Sequence, residues 1–244
     1  MKIAYLIGHG KSDSGDYDPG AVRGSAHEYK IAREIAKYAQ EYLKDNFECD
    51  VDLYNYNGDL NLAQRIAKFK NNTYQLIIEF HLNAGKGTGC EAYYSKYSKG
   101  GLGEKVAKEI CIQIAKDFGI ANRGAKVKLI SYGTDWFGIV RDTTPTAILL
   151  ETLFIDSNDY YKLDTADKQK KMGESVSIAV ARACGLKAKT KPTYKSYTVK
   201  KGDSWWSIAE QQMGSGLKCA QLAEYNGKTI LSVIHPGDVI NIPT

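Results

Sequence analysis

The sequence predicts an α/β fold: a three-layer αβα domain with a mostly parallel sheet and helices on both faces, followed by a much smaller second domain. Three observations carry this. Short apolar, β-favouring runs alternate with amphipathic helical stretches over residues 1–185, the pattern of strand–helix–strand units around a parallel sheet. Residues 76–85 (LIIEFHLNAG) are apolar up to a histidine and close in a Gly-containing turn, as a buried strand does. Residues 186–196 (LKAKTKPTYKS) have no apolar period and read as a Lys-rich linker, which leaves residues 197–244 as a second domain.

Composition bounds the class. The chain has 244 residues, 43% apolar and 25% charged, enough for one large soluble domain and a small one. No apolar run approaches the ~20 residues of a membrane span, so no membrane insertion is expected. The N-terminal MKIAYLIGHGKSD has too short an apolar run for a secretory signal and reads as a first strand, so synthesis in a host cytoplasm is expected. Cys49, Cys90, Cys111, Cys184 and Cys219 are odd in number, widely spaced and without a CxxC pair, which points to reduced, mostly buried thiols. The net charge of +5 is uneven: residues 1–186 hold 25 basic and 24 acidic side chains, 187–196 hold four Lys and no acid, and 197–244 are balanced. The excess lies in the linker, with no basic and aromatic surface for nucleic acid. A Lys-rich tether favours an anionic surface such as a cell wall.

Taken in order, residues 2–7 form a strand that ends in Gly8-His9-Gly10. Residues 11–24 (KSDSGDYDPGAVRG) are a long polar loop, either the wall of a site or an ordinary connection. Residues 28–44 place Ile31, Ile35, Tyr38, Ala39, Tyr42 and Leu43 at helical spacing. Glu28 opens that face. It fits a capping box with Ser25 as N-cap, the reading that sequence mechanics favours over a ligand. Strands are expected at 49–54, 76–81, 89–95, 126–130 and 146–151, with the 89–95 strand toward an edge. Helices are expected at 61–70, 102–118, 157–163 and 165–184.

Open α/β sheets bind ligands beyond the carboxyl ends of their strands. His9, His81 and Glu151 all leave strand ends, and Glu28 starts the adjoining helix. Two His and one carboxylate with an open position form a common catalytic zinc set, and a second carboxylate beside the water is the usual general base. No GxSxG elbow is present, and no cysteine stands beside either histidine.

Gly8-His9-Gly10, Asp18-Pro19-Gly20-Ala21, Glu28, His81-Leu82-Asn83-Ala84, and Arg141 through Pro145 to LLETLF around Glu151 together resemble the zinc-dependent N-acetylmuramoyl-L-alanine amidases, in order across residues 1–185. The resemblance implies that His9, Glu28 and His81 bind Zn²⁺ and that Glu151 is the catalytic carboxylate. It also implies substrate contacts from Asn83 and from Arg141, the latter either meeting a stem-peptide carboxylate or forming a structural ion pair. The loop after His9 is longer than that family's usual run, and Phe80 stands where a small residue often precedes the second His.

Residues 197–244 (YTVKKGDSWWSIAEQQMG…LAEYNGK…IHPGDVINIP) resemble a LysM module, a small β-α-α-β unit that binds N-acetylglucosamine-containing glycans. Trp205 replaces that motif's usual Leu. The resemblance implies that Gly202, Asp203, Ser204, Trp205, Pro236 and Gly237 line a sugar groove, although Trp205 and Trp206 could also fill the core. The two resemblances imply one substrate, peptidoglycan, with its stem peptide and its glycan. They imply hydrolysis of the amide between N-acetylmuramic acid and L-alanine at the cell wall. Without an export signal, the expected setting is a phage endolysin that depends on a holin for access. The alternatives are a host autolysin used when a mother cell lyses, a zinc exopeptidase, which would not need a glycan module, and a non-catalytic wall-binding protein.

Overall fold

In the computed structural model, which describes residues 1–190 and 193–243, the chain divides between Lys189 and Thr190 into two units. The first unit runs β1 (Lys2–Ile7), β2 (Gly10–Lys11), β3 (Tyr17–Asp18), β4 (Val22–Arg23), β5 (Ala26–His27), α1 (Glu28–Asn46), β6 (Asp50–Tyr54), α2 (Leu62–Phe69), β7 (Leu76–Asn83), β8 (Cys90–Tyr94), α3 (Leu102–Phe118), β9 (Asn122–Lys126), α4 (Gly138–Arg141), β10 (Thr146–Phe154) and α5 (Ala166–Cys184). The main sheet has the order β6-β1-β7-β10-β8-β9. Its first four strands are parallel; β8 runs antiparallel to β10, and β9 runs parallel to β8.

Strand alternation sorts the side chains of this sheet between two layers. Leu76, Ile78, Phe80 and Leu82 of β7 join Ile3, Tyr5 and Ile7 of β1 against Ile31 and Ile35 of α1, Val106 and Ile110 of α3, and Met172 and Val176 of α5. Ile77, Ala4, Leu6, Ala147 and Leu149 face the other way, toward Phe69, Ile139 and Val140 of the shorter helices α2 and α4. Each fully buried aliphatic side chain contributes ~1.5–3 kcal/mol, so the larger layer dominates stability. The thinner layer leaves room at its open end, and residues 79, 81 and 151 fall on that face by parity.

Four local expectations change. The strand expected at 126–130 lies at Asn122–Lys126 instead. Its sequence, NRGAK, lacks β-propensity and is held by pairing with β8. The segment expected as a helix at 157–163 is a 3-10 turn, Asn158–Lys162. Ser25 does not cap α1, because Ala26 and His27 pair with Val22 and Arg23 in a hairpin and the helix can begin only at Glu28. Residues 186–189, inside the stretch expected as linker, run beside the first unit: Glu48 N donates to the Lys187 carbonyl and Lys189 N to that of Asn46, both at 2.8 Å. All five cysteines are free, with Cys90 and Cys111 buried. Among the described residues no helix is long and apolar enough to cross a membrane.

The second unit contains β11 (Tyr194–Thr198), α6 (Trp205–Met213), α7 (Cys219–Tyr225) and β12 (Val239–Pro243), with β11 and β12 antiparallel. Val199, Trp205, Ile208, Leu222, Ile240 and Ile242 form its core. A Ser204–Ser207 capping box starts α6, and Gly214 ends it in the left-handed region.

Candidate metal centre and active site

Chain reversal after β1 places the first histidine. His9 has φ +60°, a left-handed conformation rare for a non-glycine residue. The Asn55 amide locks it by donating to the carbonyls of Ile7 and His9 at 2.8 Å, and Arg65 adds a bond to the His9 carbonyl at 3.2 Å. Two glycines are required for space. A Cβ at Gly8 would stand 2.1 Å from the His81 ring, and one at Gly20 would stand 2.5 Å from the Glu28 carboxylate.

Glu28, His9 and His81 converge from a helix start and two strand ends. Glu28 Oε1 lies 3.2 Å from His9 Nε2 and 2.9 Å from His81 Nδ1. One donor atom from each residue lies within 4.8 Å of the others. Glu28 Oε1 also accepts from the Leu82 amide at 3.0 Å, and Oε2 from the Ala21 amide at 2.7 Å, so the carboxylate is fixed by the sheet and by the long loop. The far nitrogen of each imidazole meets a second carboxylate: His9 Nδ1 is 2.8 Å from Asp18 Oδ2, and His81 Nε2 is 3.3 Å from Glu79 Oε2. Glu79 is itself held by Arg65 Nε at 2.9 Å. Carboxylates behind histidines are the outer shell that orients metal ligands. Two imidazole nitrogens and one carboxylate oxygen, converging at a cavity wall, fit Zn²⁺ by donor type and number.

Electrostatics follow from this packing. Burial alone would raise the Glu28 carboxyl, but hydrogen bonds from His81 and His9 outweigh it and hold the group well below the ordinary carboxylate range. Burial would lower His81; its contacts with Glu28 and Glu79 override that and raise it well above the usual value. Glu151 differs. It is the direct Cα partner of His81 on β10, and its Oε2 is buried with no hydrogen-bond partner among the described residues. Burial pushes its carboxyl up to about 7; His81 opposes that rise, and Glu28 and Glu91 add to it. A carboxyl poised near neutrality suits proton transfer. These groups open on a cavity of about 360 Å³, also lined by Leu62, Phe137, Ile139 and Leu149.

A family model described as N-acetylmuramoyl-L-alanine amidase matches residues 3–182, and a LysM-domain model matches residues 197–243. The chain belongs to the N-acetylmuramoyl-L-alanine amidase family. It is 29% identical over 198 residues to the endolysin of Bacillus phage SPP1, covering 78% of this chain and 68% of that protein. It is 25% identical over 166 residues to the N-acetylmuramoyl-L-alanine amidase LytC of Bacillus subtilis, covering 66% of this chain and 32% of that protein. Among solved structures, Cwp6 from Clostridium difficile superposes with a TM-score of 0.67 at 30% identity, over 75% of this chain and 29% of that one. The chain thus spans about a third or less of LytC and Cwp6.

Within the amidase domain the other sequence-derived candidates separate. Asn83 lines the cavity, but its amide is committed to Glu91 Oε1 at 2.6 Å. Arg141 does not reach the cavity. Nε and Nη2 clasp Asp142 at 2.9 and 2.7 Å, and Nη1 donates to the carbonyls of Asp135 and Trp136. In the LysM domain Trp205 is 5% exposed, with its indole N–H on the Ser232 carbonyl, whereas Trp206 is 53% exposed. Both tryptophans, Asp203 and Ser204 line a groove with Ile230, Leu231 and Val233. Asp203 Oδ2 accepts from Tyr197 and from the Lys200 amide, and Ser204 caps α6. Gly202, Pro236 and Gly237 lie in exposed turns outside that groove lining. Asp18 enters the sequence argument only as part of the Asp18-Pro19-Gly20-Ala21 match, with no role given, and neither Glu79 nor Arg65 is singled out there. Glu79 had a visible signal, since it is an acid two residues before His81 and therefore on the same face of a buried strand. Arg65 sits mid-helix with no such sign.

Proposed function

We propose that this chain is a zinc-dependent peptidoglycan hydrolase that cuts the amide between N-acetylmuramic acid and L-alanine, held at the wall by its LysM domain. The observation that carries the reading is the convergence of His9, Glu28 and His81 beside a buried, unpartnered Glu151. His9, Glu28 and His81 would hold the metal. A zinc ion there would supply a Lewis acid for the amide carbonyl and lower the pKa of water.

The rest belongs to the protein. Asp18 orients the His9 imidazole through a hydrogen bond to its far nitrogen, and Glu79 lies 3.3 Å from the far nitrogen of His81 as its charge partner. Glu151 takes a proton from the attacking water at its unpartnered oxygen and passes it to the leaving alanine nitrogen, a transfer worth about 10²–10⁴ in rate. Leu62, Phe137, Ile139 and Leu149 limit water at the reacting centre. The finer setting is a phage endolysin that reaches the wall from the host cytoplasm through a holin, favoured by the likeness to the SPP1 endolysin. The likeness to LytC favours a host amidase as the second reading.

Mass spectrometry of digested walls tests the bond. Hydrolysis at muramic acid frees N-terminal alanine and creates no new reducing sugar ends. Reducing ends that rise in proportion to lysis would mean a glycosidase and reject the reading. Expression inside a bacterium, with and without a holin, tests the setting: lysis that needs no holin would remove the holin-dependent version.

A further inference from the structure

Arg123 projects from β9 onto Glu91, the β8 residue paired with cavity-lining Glu151, with its guanidinium only half used. Nε donates to Glu91 Oε2 at 2.7 Å, while neither terminal nitrogen has a hydrogen-bond partner among the described residues. The guanidinium carbon lies 5.0 Å from the ring centre of Phe154, and the side chain is 38% exposed. It is therefore fixed at one edge and on one face, with its open fork toward solvent.

Glu91 does not need that fork. Its buried carboxylate already accepts from Lys126 Nζ, from Tyr93 Oη at 2.9 Å and from Asn83 Nδ2 at 2.6 Å, besides Arg123 Nε. One carboxylate faces two cations, so the cluster carries a net positive charge. It also abuts the catalytic wall: Glu91 is the Cα partner of Glu151, and Asn83 lines the cavity. A rigid, weakly hydrated guanidinium with two parallel free donors matches a carboxylate bidentately.

We propose that Arg123, backed by Lys126, is a subsite for a carboxylate of the stem peptide on the alanine side of the scissile amide. The proposal rests on the amidase reading. The muramic acid carboxyl is consumed in the scissile amide itself, so free carboxylates of the substrate lie on the peptide. From β10 across β8 to β9 is two strand spacings, roughly 10 Å. An extended peptide covers that in about three residues at ~3.3 Å each, so the anion recognised lies close after the alanine. Arg141, clasped by Asp142, leaves this role open.

The test compares two soluble muropeptides, one with free stem-peptide carboxylates and one with them amidated. The intact protein should cleave the free form about ten- to a hundredfold more efficiently, the range of a charged hydrogen bond lost. Arg123→Gln should abolish that preference through KM, raising KM for the free form to that of the amidated one. Arg123→Lys keeps the charge beside Glu91 but not the fork, and should recover only part of the preference; it also serves if the Gln variant folds poorly. Equal cleavage of both forms by the intact protein, or a preference that survives in both variants, would overturn the subsite. Cleavage of neither form would instead overturn the amidase reading beneath it.

Discussion

Glu151 and His81 are direct partners across the parallel β7–β10 ladder, yet their surroundings are opposite. His81 is wedged between Glu28 and Glu79. Glu151 has a buried oxygen with neither a hydrogen-bond nor an ion-pair partner among the described residues, whereas His81 Nε2, also without a hydrogen bond, sits 3.3 Å from Glu79 Oε2. Under the proposed function, His9, Glu28 and His81 hold the metal and Glu151 moves the proton. Glu151→Gln should keep about one zinc per chain by elemental analysis while losing about 10²–10⁴ in rate. Glu28→Ala should lose the metal as well, because it removes the atom shared by both histidines. Metal lost in the first variant and retained in the second would exchange the two roles.

The paired tryptophans should respond in opposite ways. Trp205→Ala empties the centre of a small core and should cost about 3–5 kcal/mol, enough to unfold a unit of this size. Trp206→Ala should leave the thermal midpoint of the unit nearly unchanged while weakening its binding to purified walls, because the exposed indole lines the groove. Wall binding that survives Trp206→Ala would move the glycan contact away from this ring.

Glu91 gives a pH signature. Burial raises its carboxyl, and hydrogen bonds from Lys126, Arg123 and Tyr93 overcome that and bring it down to about 2, from an ordinary value of 4.5. A lowered folded-state pKa means that the unfolded chain takes up the proton first. The stabilisation is therefore complete above pH 4.5 and is lost as pH falls toward 2. Glu91→Gln should show a shallower fall in denaturation midpoint across that window than the intact protein. Superimposable acid limbs would mean that the cluster carries no net stabilisation.

Fragments ending on either side of residues 186–189 should differ. Residues 1–189 should fold alone, cleave soluble muropeptide and bind intact walls more weakly than the full chain, because the tethered second unit raises local concentration. Residues 1–185 lose the backbone bonds to Asn46 and Glu48, each worth ~0.5–1.5 kcal/mol, and should melt earlier. Equal melting of the two fragments would show that the segment adds nothing to the first unit.

Elements governed by local period were legible in the sequence. The apolar run at β7, the helical spacing of α1 and α3, and the strand into Glu151 depend on neighbours a few residues away. His9, His81 and Glu151 were legible as strand-end residues with Glu28 at the adjoining helix start, and the family resemblance supplied their roles; that His81 and Glu151 stand side by side came only with the β7–β10 register. Contacts between distant segments could not. The β9 strand, with no β-favouring sequence, exists because β8 offers it a ladder, and that pairing brings Arg123 to Glu91. The hairpin at 22–27 overrides the capping box that Ser25 and Glu28 spell out, and it frees Glu28 to reach both histidines. Arg141 meets Asp142 and lies away from the cavity, and Trp205 turns inward while Trp206 turns out. The β9 pairing and the inward turn of Trp205 onto the Ser232 carbonyl were decided by segments remote in sequence, and the 22–27 hairpin and the Arg141–Asp142 clasp by the local backbone path, which takes its shape only once the chain has folded.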